Sequence, residues 1–135
     1  LQRRGTPLEV SLADDLPSVR GHADRLRQLL INLILNAAEA SPQGCSILVA
    51  ARRQDENGRP FARIDVVDKG PGIPEEDIHR IWNPFFTTKP EGTGLGLAIC
   101  RQIVDDHEGT ISMKCRGGGE TTVTSLLPAW QEDRR

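Results

Sequence analysis

On a helical wheel at about 100° per residue, Gln28, Asn32, Asn36 and Glu39 fall on one narrow polar stripe, and Ile31 and Leu35 make the flank beyond it apolar again. A solvated helix face would carry charges there. Two asparagines one turn apart between apolar borders can instead offer carbonyl oxygens to a hydrated Mg²⁺ and amides to phosphates. The structural alternative is a pair of amides bonded to nearby backbone or to each other. Further along, Asp68-Lys69-Gly70-Pro71-Gly72-Ile73 follows a β-like run, which aims a carboxylate at the strand's end into the crevice beyond. A carboxylate only accepts hydrogen bonds, so it can hold an exocyclic amino group such as that of adenine. The glycines let a ring come close to the backbone, although Asp and Gly also favour turns for conformational reasons alone.

A third block, Gly92-Thr93-Gly94-Leu95-Gly96-Leu97, lies where loop gives way to helix, so free N–H groups and the positive helix end make an anion site there. Its spacing excludes the familiar phosphate loops. A Walker loop needs Gly-Lys-Ser/Thr after four intervening residues, and a dinucleotide fingerprint needs Gly at position 97, where Leu stands. A protein-kinase glycine loop fails in the same way, and the catalytic-loop and DFG signatures are missing. What remains is a glycine-hinged lid, with Thr87, Thr88 and Lys89 just upstream able to reach phosphate oxygens. Lys69 and Lys89 are two of the chain's three lysines.

The elements that must position these blocks can be read from periodicity. Leu8 to Leu12 suits a strand, with a second brief one around Val19. Leu26, Leu29, Leu30, Leu33, Ile34 and Ala37 repeat at helical spacing, and Ser41-Pro42-Gln43-Gly44 closes the run. Ile47 to Arg53 and Phe61 to Asp68 predict a hairpin with a long loop, Asp55 to Pro60. A short helix is expected after Pro74, with Glu75, Glu76 and Asp77 favourably placed against its dipole. Residues 83 to 94 read as loop, and helix resumes from about Leu95 to His107. Strands near Thr110 to Arg116 and Thr121 to Leu127, linked by Gly117-Gly118-Gly119, end the pattern. The order predicts an α/β two-layer sandwich, a mixed and mostly antiparallel sheet packed on about three helices.

Composition bounds the partners. The 135 residues are 37% hydrophobic and 27% charged, with 17 basic against 19 acidic side chains, the balance of one ordinary globular domain. At this length about two thirds of the unfolded chain's surface can be buried without staples. A net charge of −2 and no basic tract argue against nucleic acid. The longest apolar stretch, Leu29 to Leu35, is broken by Asn32 and falls short of a membrane span. No signal peptide is expected. Cys45, Cys100 and Cys115 form no CxxC pair, which fits a reducing cytoplasm with the thiols as small hydrophobes. Tyrosine is absent, yet three of the five Phe and Trp residues, Trp82, Phe85 and Phe86, fall within five positions. Concentrated at the base of the lid, they are expected to anchor its hinge against the helix that starts near Leu95.

In this order and spacing the blocks resemble the ATP-binding catalytic domain of bacterial sensor histidine kinases, within the family that includes DNA gyrase, heat-shock chaperone ATPases and mismatch-repair ATPases. The resemblance runs from about residue 8 to 128 and implies the Bergerat-type ATP-binding fold, a single catalytic domain over 1–135. Asn32-Leu33-Ile34-Leu35-Asn36-Ala37 looks like the asparagine box and Asp68 to Gly72 like the first glycine box. Pro84-Phe85-Phe86-Thr87-Thr88-Lys89 resembles the phenylalanine box, Gly92 to Leu97 the second glycine box, and Gly118 to Leu127, more weakly, the last one. By that resemblance Asp68 reads the adenine amino group beside Gly70, Gly72 and Ile73. Asn36 ligates Mg²⁺ with help from Asn32. Lys89, Thr87, Thr88 and the backbone of Gly92, Thr93, Gly94, Leu95, Gly96 and Leu97 attend the phosphates, and Thr121 supports adenine. The sequence departs from the pattern at Glu120, where glycine is usual, at Val123, where an aromatic is usual, and at His107-Glu108-Gly109, where two glycines are common. The short lid looks most like the nitrogen-regulation and sporulation branch.

One position separates the relatives. Four residues before the Mg²⁺ asparagine, gyrase-like ATPases carry a glutamate that activates water, and here Asn32 stands there. An amide has no usable basicity, so hydrolysis lacks its general base, and the expected reaction is transfer of the γ-phosphoryl group to another acceptor. The resemblance implies a histidine on a separate helical hairpin of the parent kinase, feeding a response regulator. His22, His79 and His107 lack the sequence setting of that acceptor and read as surface-structural. The isolated domain is expected to be a cytoplasmic monomer without membrane contact, whatever anchors the parent, binding ATP and Mg²⁺ but not labelling itself. Two other readings share the site: a serine kinase of the anti-sigma type, and a nucleotide-sensing interaction module without phosphotransfer.

Overall fold

The computed structural model describes residues 7–42, 44–86, 96–116 and 119–129. Strand β1 (Leu8–Leu12) leads to helix α1 (Ala23–Ala40), then to strands β2 (Ile47–Glu56) and β3 (Arg59–Asp68). Helix α2 (Gly96–Asp106) and strands β4 (Thr110–Arg116) and β5 (Glu120–Pro128) follow. The five strands form one sheet in the order β1-β2-β3-β5-β4, parallel between β1 and β2 and antiparallel elsewhere. This is the expected mixed two-layer sandwich.

Alternation along the strands gives the sheet one apolar face. Ile47, Val49 and Ala51 of β2, Ala62 and Val66 of β3, Met113 of β4, and Val123 and Leu127 of β5 are buried on it. Against this face α1 presents Leu29, Leu33 and Ala37, and α2 presents Cys100, Ile103 and Val104. The i, i+4, i+8 spacing of the α1 set is what places its three residues in one inward line.

Three expectations are corrected. The hairpin loop is not long: Glu56 pairs with Arg59, and Asn57 and Gly58 close the turn with φ of 52° and 80°. Two successive positive φ values are the type I′ geometry that Asn-Gly supplies, so the strands run on through residues assigned to loop. Around Val19 there is only a single bridge to Ala129. After Pro74 the chain makes a three-residue 3₁₀ turn, Glu75–Asp77, so the sheet packs on two α-helices among the described residues.

Both ends of α1 are tied. At its start the His22 N–H donates to Nε2 of His107 at 3.3 Å, while Nδ1 of His107 meets the Ile103 carbonyl at 2.8 Å. Arg25 reaches Asp106 at 3.1 Å. Gln102, and then Arg25, donate to that carboxylate and hold it below the usual range. The His107 ring therefore joins the start of α1 to the end of α2, taking the backbone N–H of His22 as its partner.

The end of α2 explains one departure noted above. Glu108 N–H donates to Asp105 O and Gly109 N–H to Val104 O, both at 2.9 Å, the paired bonds of a Schellman cap. The residue between helix and strand must then be left-handed, and Glu108 takes φ of 62°. Replacing Glu108 by Gly should stabilise the fold by about 0.5–1 kcal/mol, because the left-handed conformation costs a residue with a Cβ about 1–2 kcal/mol, partly offset by glycine's larger loss of freedom on folding. A rise in melting temperature checks it.

Cys100 is fully buried with its Sγ directed at the Leu29 carbonyl, and burial pushes its thiol up to about 12. The unfolded chain releases that proton near pH 8.5, so stability is full below about that pH and declines as pH rises toward 12. In Cys100→Ala the alkaline decline should be shallower, measured by denaturant midpoints from neutral pH upward.

Candidate nucleotide site

The site lies at the end of the sheet where β3 stops. Asp68, the last residue of β3, pairs in register with Thr121, and Thr121 pairs with Cys115. Paired residues share a face, so these three form one row across β3, β5 and β4 on the helix side. Asp68 and Thr121 are each only 4% exposed, whereas Cys115 is exposed, and the row therefore opens toward Cys115. Beneath it the next rung, Val66, Val123 and Met113, is apolar and buried.

The turn after β3 is built for close approach. Gly70 N–H donates to Asp68 Oδ1 at 2.8 Å, which folds the chain back over its own carboxylate. A Cβ on Gly70 would lie 2.6 Å from the carbonyl oxygen of Ala40, the last residue of α1. Gly72 has φ of 84°, and a Cβ there would stand 3.2 Å from Cys115 Sγ and 3.5 Å from Thr121 Oγ1. Ile73 N–H donates to Cys115 Sγ at 3.3 Å. Glycines at 70 and 72 are thus required by space at the first position and by both backbone and space at the second.

The same turn fastens α1. Lys69 N–H donates to Ser41 Oγ at 3.3 Å, just past the helix end. Asn32 and Asn36, both half-buried, stand on the C-terminal half of that helix, with Gln28 and Glu39 exposed on the same stripe. The amide stripe and the buried carboxylate thereby share one rigid junction. Among the described residues no group of three or more His, Cys, Asp or Glu could hold a metal ion. Two amide oxygens are hard donors suited to Mg²⁺, which dehydrates reluctantly and takes few protein ligands when phosphates supply the rest.

Asp68, Gly70, Gly72, Ile73 and Thr121 are brought together, and Gly96 and Leu97 open α2, where Leu97 packs on the core. Thr87, Thr88, Lys89, Gly92, Thr93, Gly94 and Leu95 lie outside the described residues. The aromatic cluster divides. Trp82 and Phe86 pack against the core, but Phe85 is 73% exposed at φ of 70°, so it does not share that packing, and the lid they are expected to anchor lies outside the described residues. Cys115 was missed by treating all thiols as small hydrophobes. The signal that could have found it is its alternation with Met113 on the strand facing Thr121. The departures at 120 and 123 fall outside the row: Val123 lies one rung deeper in the core, and Glu120 alternates to the other face of the sheet.

Against this geometry, residues 21–131 match the family described as histidine kinase-, DNA gyrase B- and HSP90-like ATPase, and the chain belongs to that family. It is 42% identical over 125 residues to the sensor histidine kinase ZraS of Escherichia coli strain K12, covering 93% of this chain and 26% of ZraS. With sporulation kinase E of Bacillus subtilis strain 168 it shares 35% identity over 130 residues, 95% of this chain and 17% of that one. The chain thus spans about a quarter or less of these curated relatives. Among solved structures, the mycobacterial sensor histidine kinase MprB superposes with a TM-score of 0.82 at 31% identity, covering 95% of this chain and 85% of that one. The catalytic domain of histidine kinase ThkA does so at 0.81 and 33% identity, covering 95% and 82%. The resemblance read from the sequence holds, and the fold is that of histidine kinase catalytic domains. No helix among the described residues is long and apolar enough to cross a membrane.

Gly70→Ala should push a methyl into the Ala40 carbonyl and separate the Asp68 turn from α1, at about 1–3 kcal/mol of overpacking. Nucleotide affinity is expected to fall by more than tenfold while the far-UV spectrum stays native. Calorimetric titration with Mg-ATP reads the loss.

Proposed function

We propose that this chain is the catalytic segment of a sensor histidine kinase, binding Mg-ATP and passing the γ-phosphoryl group to a histidine on a helical hairpin elsewhere in the parent protein. The observation that carries the reading is a buried carboxylate, Asp68, folded under a glycine turn, opposite Thr121 and locked to the helix bearing Asn32 and Asn36. Kinship with sensor kinases supports the choice of acceptor.

In this reading Asp68 accepts from the adenine amino group while Gly72 and Ile73 let the ring lie against the backbone. Thr121 supports the ring from the neighbouring strand. Asn36, aided by Asn32, would hold Mg²⁺, which when bound neutralises charge building on the phosphate oxygens. Lys89, Thr87, Thr88 and the backbone from Gly92 to Gly96 would orient the phosphates. Asn32 offers no basic atom to water, so the phosphoryl group waits for a better-placed nucleophile. The acceptor hairpin and a response regulator downstream are the partners this requires, and a single domain over 1–135 is the unit that meets them.

The isolated chain should bind Mg-ATP yet take up no label from γ-labelled ATP. Adding the parent's own hairpin should produce a labelled hairpin whose phosphate is lost in acid and kept in base. An acid-stable product would move the assignment to serine, and no transfer despite intact nucleotide binding would overturn the kinase reading.

A further inference from the structure

A second row of side chains crosses the same three strand ends, on the opposite face of the sheet from Asp68, Thr121 and Cys115. Asp68 and Thr121 are the last rung of the β3–β5 ladder, so Lys69 and Glu120 are the residues next beyond it. Arg116 pairs with Glu120 in the β4–β5 ladder. Strand alternation turns Arg116 and Glu120 away from the helices, and Lys69, one residue past β3, reaches the same carboxylate. Lys69 Nζ lies 3.2 Å from Glu120 Oε2, and Arg116 Nη1 lies 3.9 Å from Glu120 Oε1. One carboxylate flanked by two cations therefore bridges β3, β5 and β4 immediately behind the inner row. The backbone is close here as well, since a Cβ on Gly119 would lie 3.6 Å from the Gly70 carbonyl oxygen.

End rungs fray first, because no ladder bond lies beyond them to hold the strands. The Asp68–Thr121 rung is such an end, and Lys69–Glu120 is the attachment just outside it. We propose that Glu120 is a positioning residue for adenine recognition: with Lys69 and Arg116 it clamps the three strand ends and so fixes the separation of Asp68 and Thr121 across which the ring is read. This rests on the nucleotide reading above. Removing the carboxylate leaves Lys69 and Arg116 facing each other across β5, and placing a cation there sets like charges directly opposite, which drives strands apart. The pairs are exposed to differing degrees, 52% for the Lys69 side chain, 31% for Glu120 and 81% for Arg116, so Lys69 carries most of the clamp and the effect is modest and screened by salt.

Adenosine is the decisive probe, because it carries no charge for these groups to attract directly. Bound to the full chain and followed by chemical-shift titration, it should weaken about threefold in Glu120→Gln and about tenfold in Glu120→Lys. The exchange Lys69→Glu with Glu120→Lys should recover part of the loss, the share carried by the Lys69 contact, since Arg116 still faces the new cation. In the wild type, adenosine affinity should fall from low salt to about 0.5 M NaCl, and Glu120→Gln should flatten that dependence. Circular dichroism checks folding, and if Glu120→Lys does not fold, Glu120→Gln and its salt series carry the comparison. Unchanged adenosine affinity in the folded variants, or no recovery on exchange, overturns the positioning role. So does Glu120→Lys tightening ATP while leaving adenosine unmoved, which would mean direct action on phosphates. A wild type that binds neither adenosine nor Mg-ATP brings down the nucleotide reading itself, and this role with it.

Discussion

The contact on which the rest depends is the seat of Gly70 against the carbonyl of Ala40. It brings the end of β3 against the end of α1, and it admits no side chain. The amides Asn32 and Asn36 lie on the helix side of that contact and the carboxylate of Asp68 on the strand side. Their mutual position is set by two short links, Lys69 N–H to Ser41 and Gly70 N–H to Asp68. The opposite end of α1 is tied by His107 and Asp106. A helix held at both ends cannot slide along its axis, and a slide of one residue would carry Asn36 about 1.5 Å from its place.

The sheet contributes a second constraint. Three strands end at the site together, and each supplies one side chain to the inner row. The rung beneath is wholly apolar, so the row sits on a packed floor and its outer edge alone is open. This explains how the chain tolerates its unusual residues. Val123 belongs to the floor, where volume can be shared with Val66 and Met113. Glu120 belongs to the back of the sheet, where its charge meets two cations without entering the inner row.

Most of the architecture was legible because the signals were local. The heptad-like run in α1, alternation in β4 and β5, and the glycine blocks each speak for themselves within a few residues. The Asn57-Gly58 hairpin was equally local, and reading Asp55 to Pro60 as loop overlooked that Asn-Gly closes a two-residue turn while polar residues extend exposed strands. Other features depend on pairings that no window of sequence contains. Cys115 borders the site only because β4 lies beside β5 with that register, and Lys69 meets Glu120 across fifty-one residues. The division between Trp82, Phe86 and the exposed Phe85 follows from a left-handed backbone at position 85, which side-chain type does not foretell.

The proposed chemistry also bears on why the site is built of amides and one deep carboxylate. A carboxylate near the γ-phosphate would both repel the phosphate and activate water. Confining the acidic group to Asp68, on the adenine side of the Gly70 junction, removes both effects. Amides at 32 and 36 can still orient a cation and phosphate oxygens, since they hold strong dipoles without basicity. On the proposed reading such a site would bind nucleotide without spending it, and its turnover would be governed by the arrival of an acceptor. The specificity of the proposed reaction would then reside in the docking of two protein surfaces, with this domain supplying position and electrostatics.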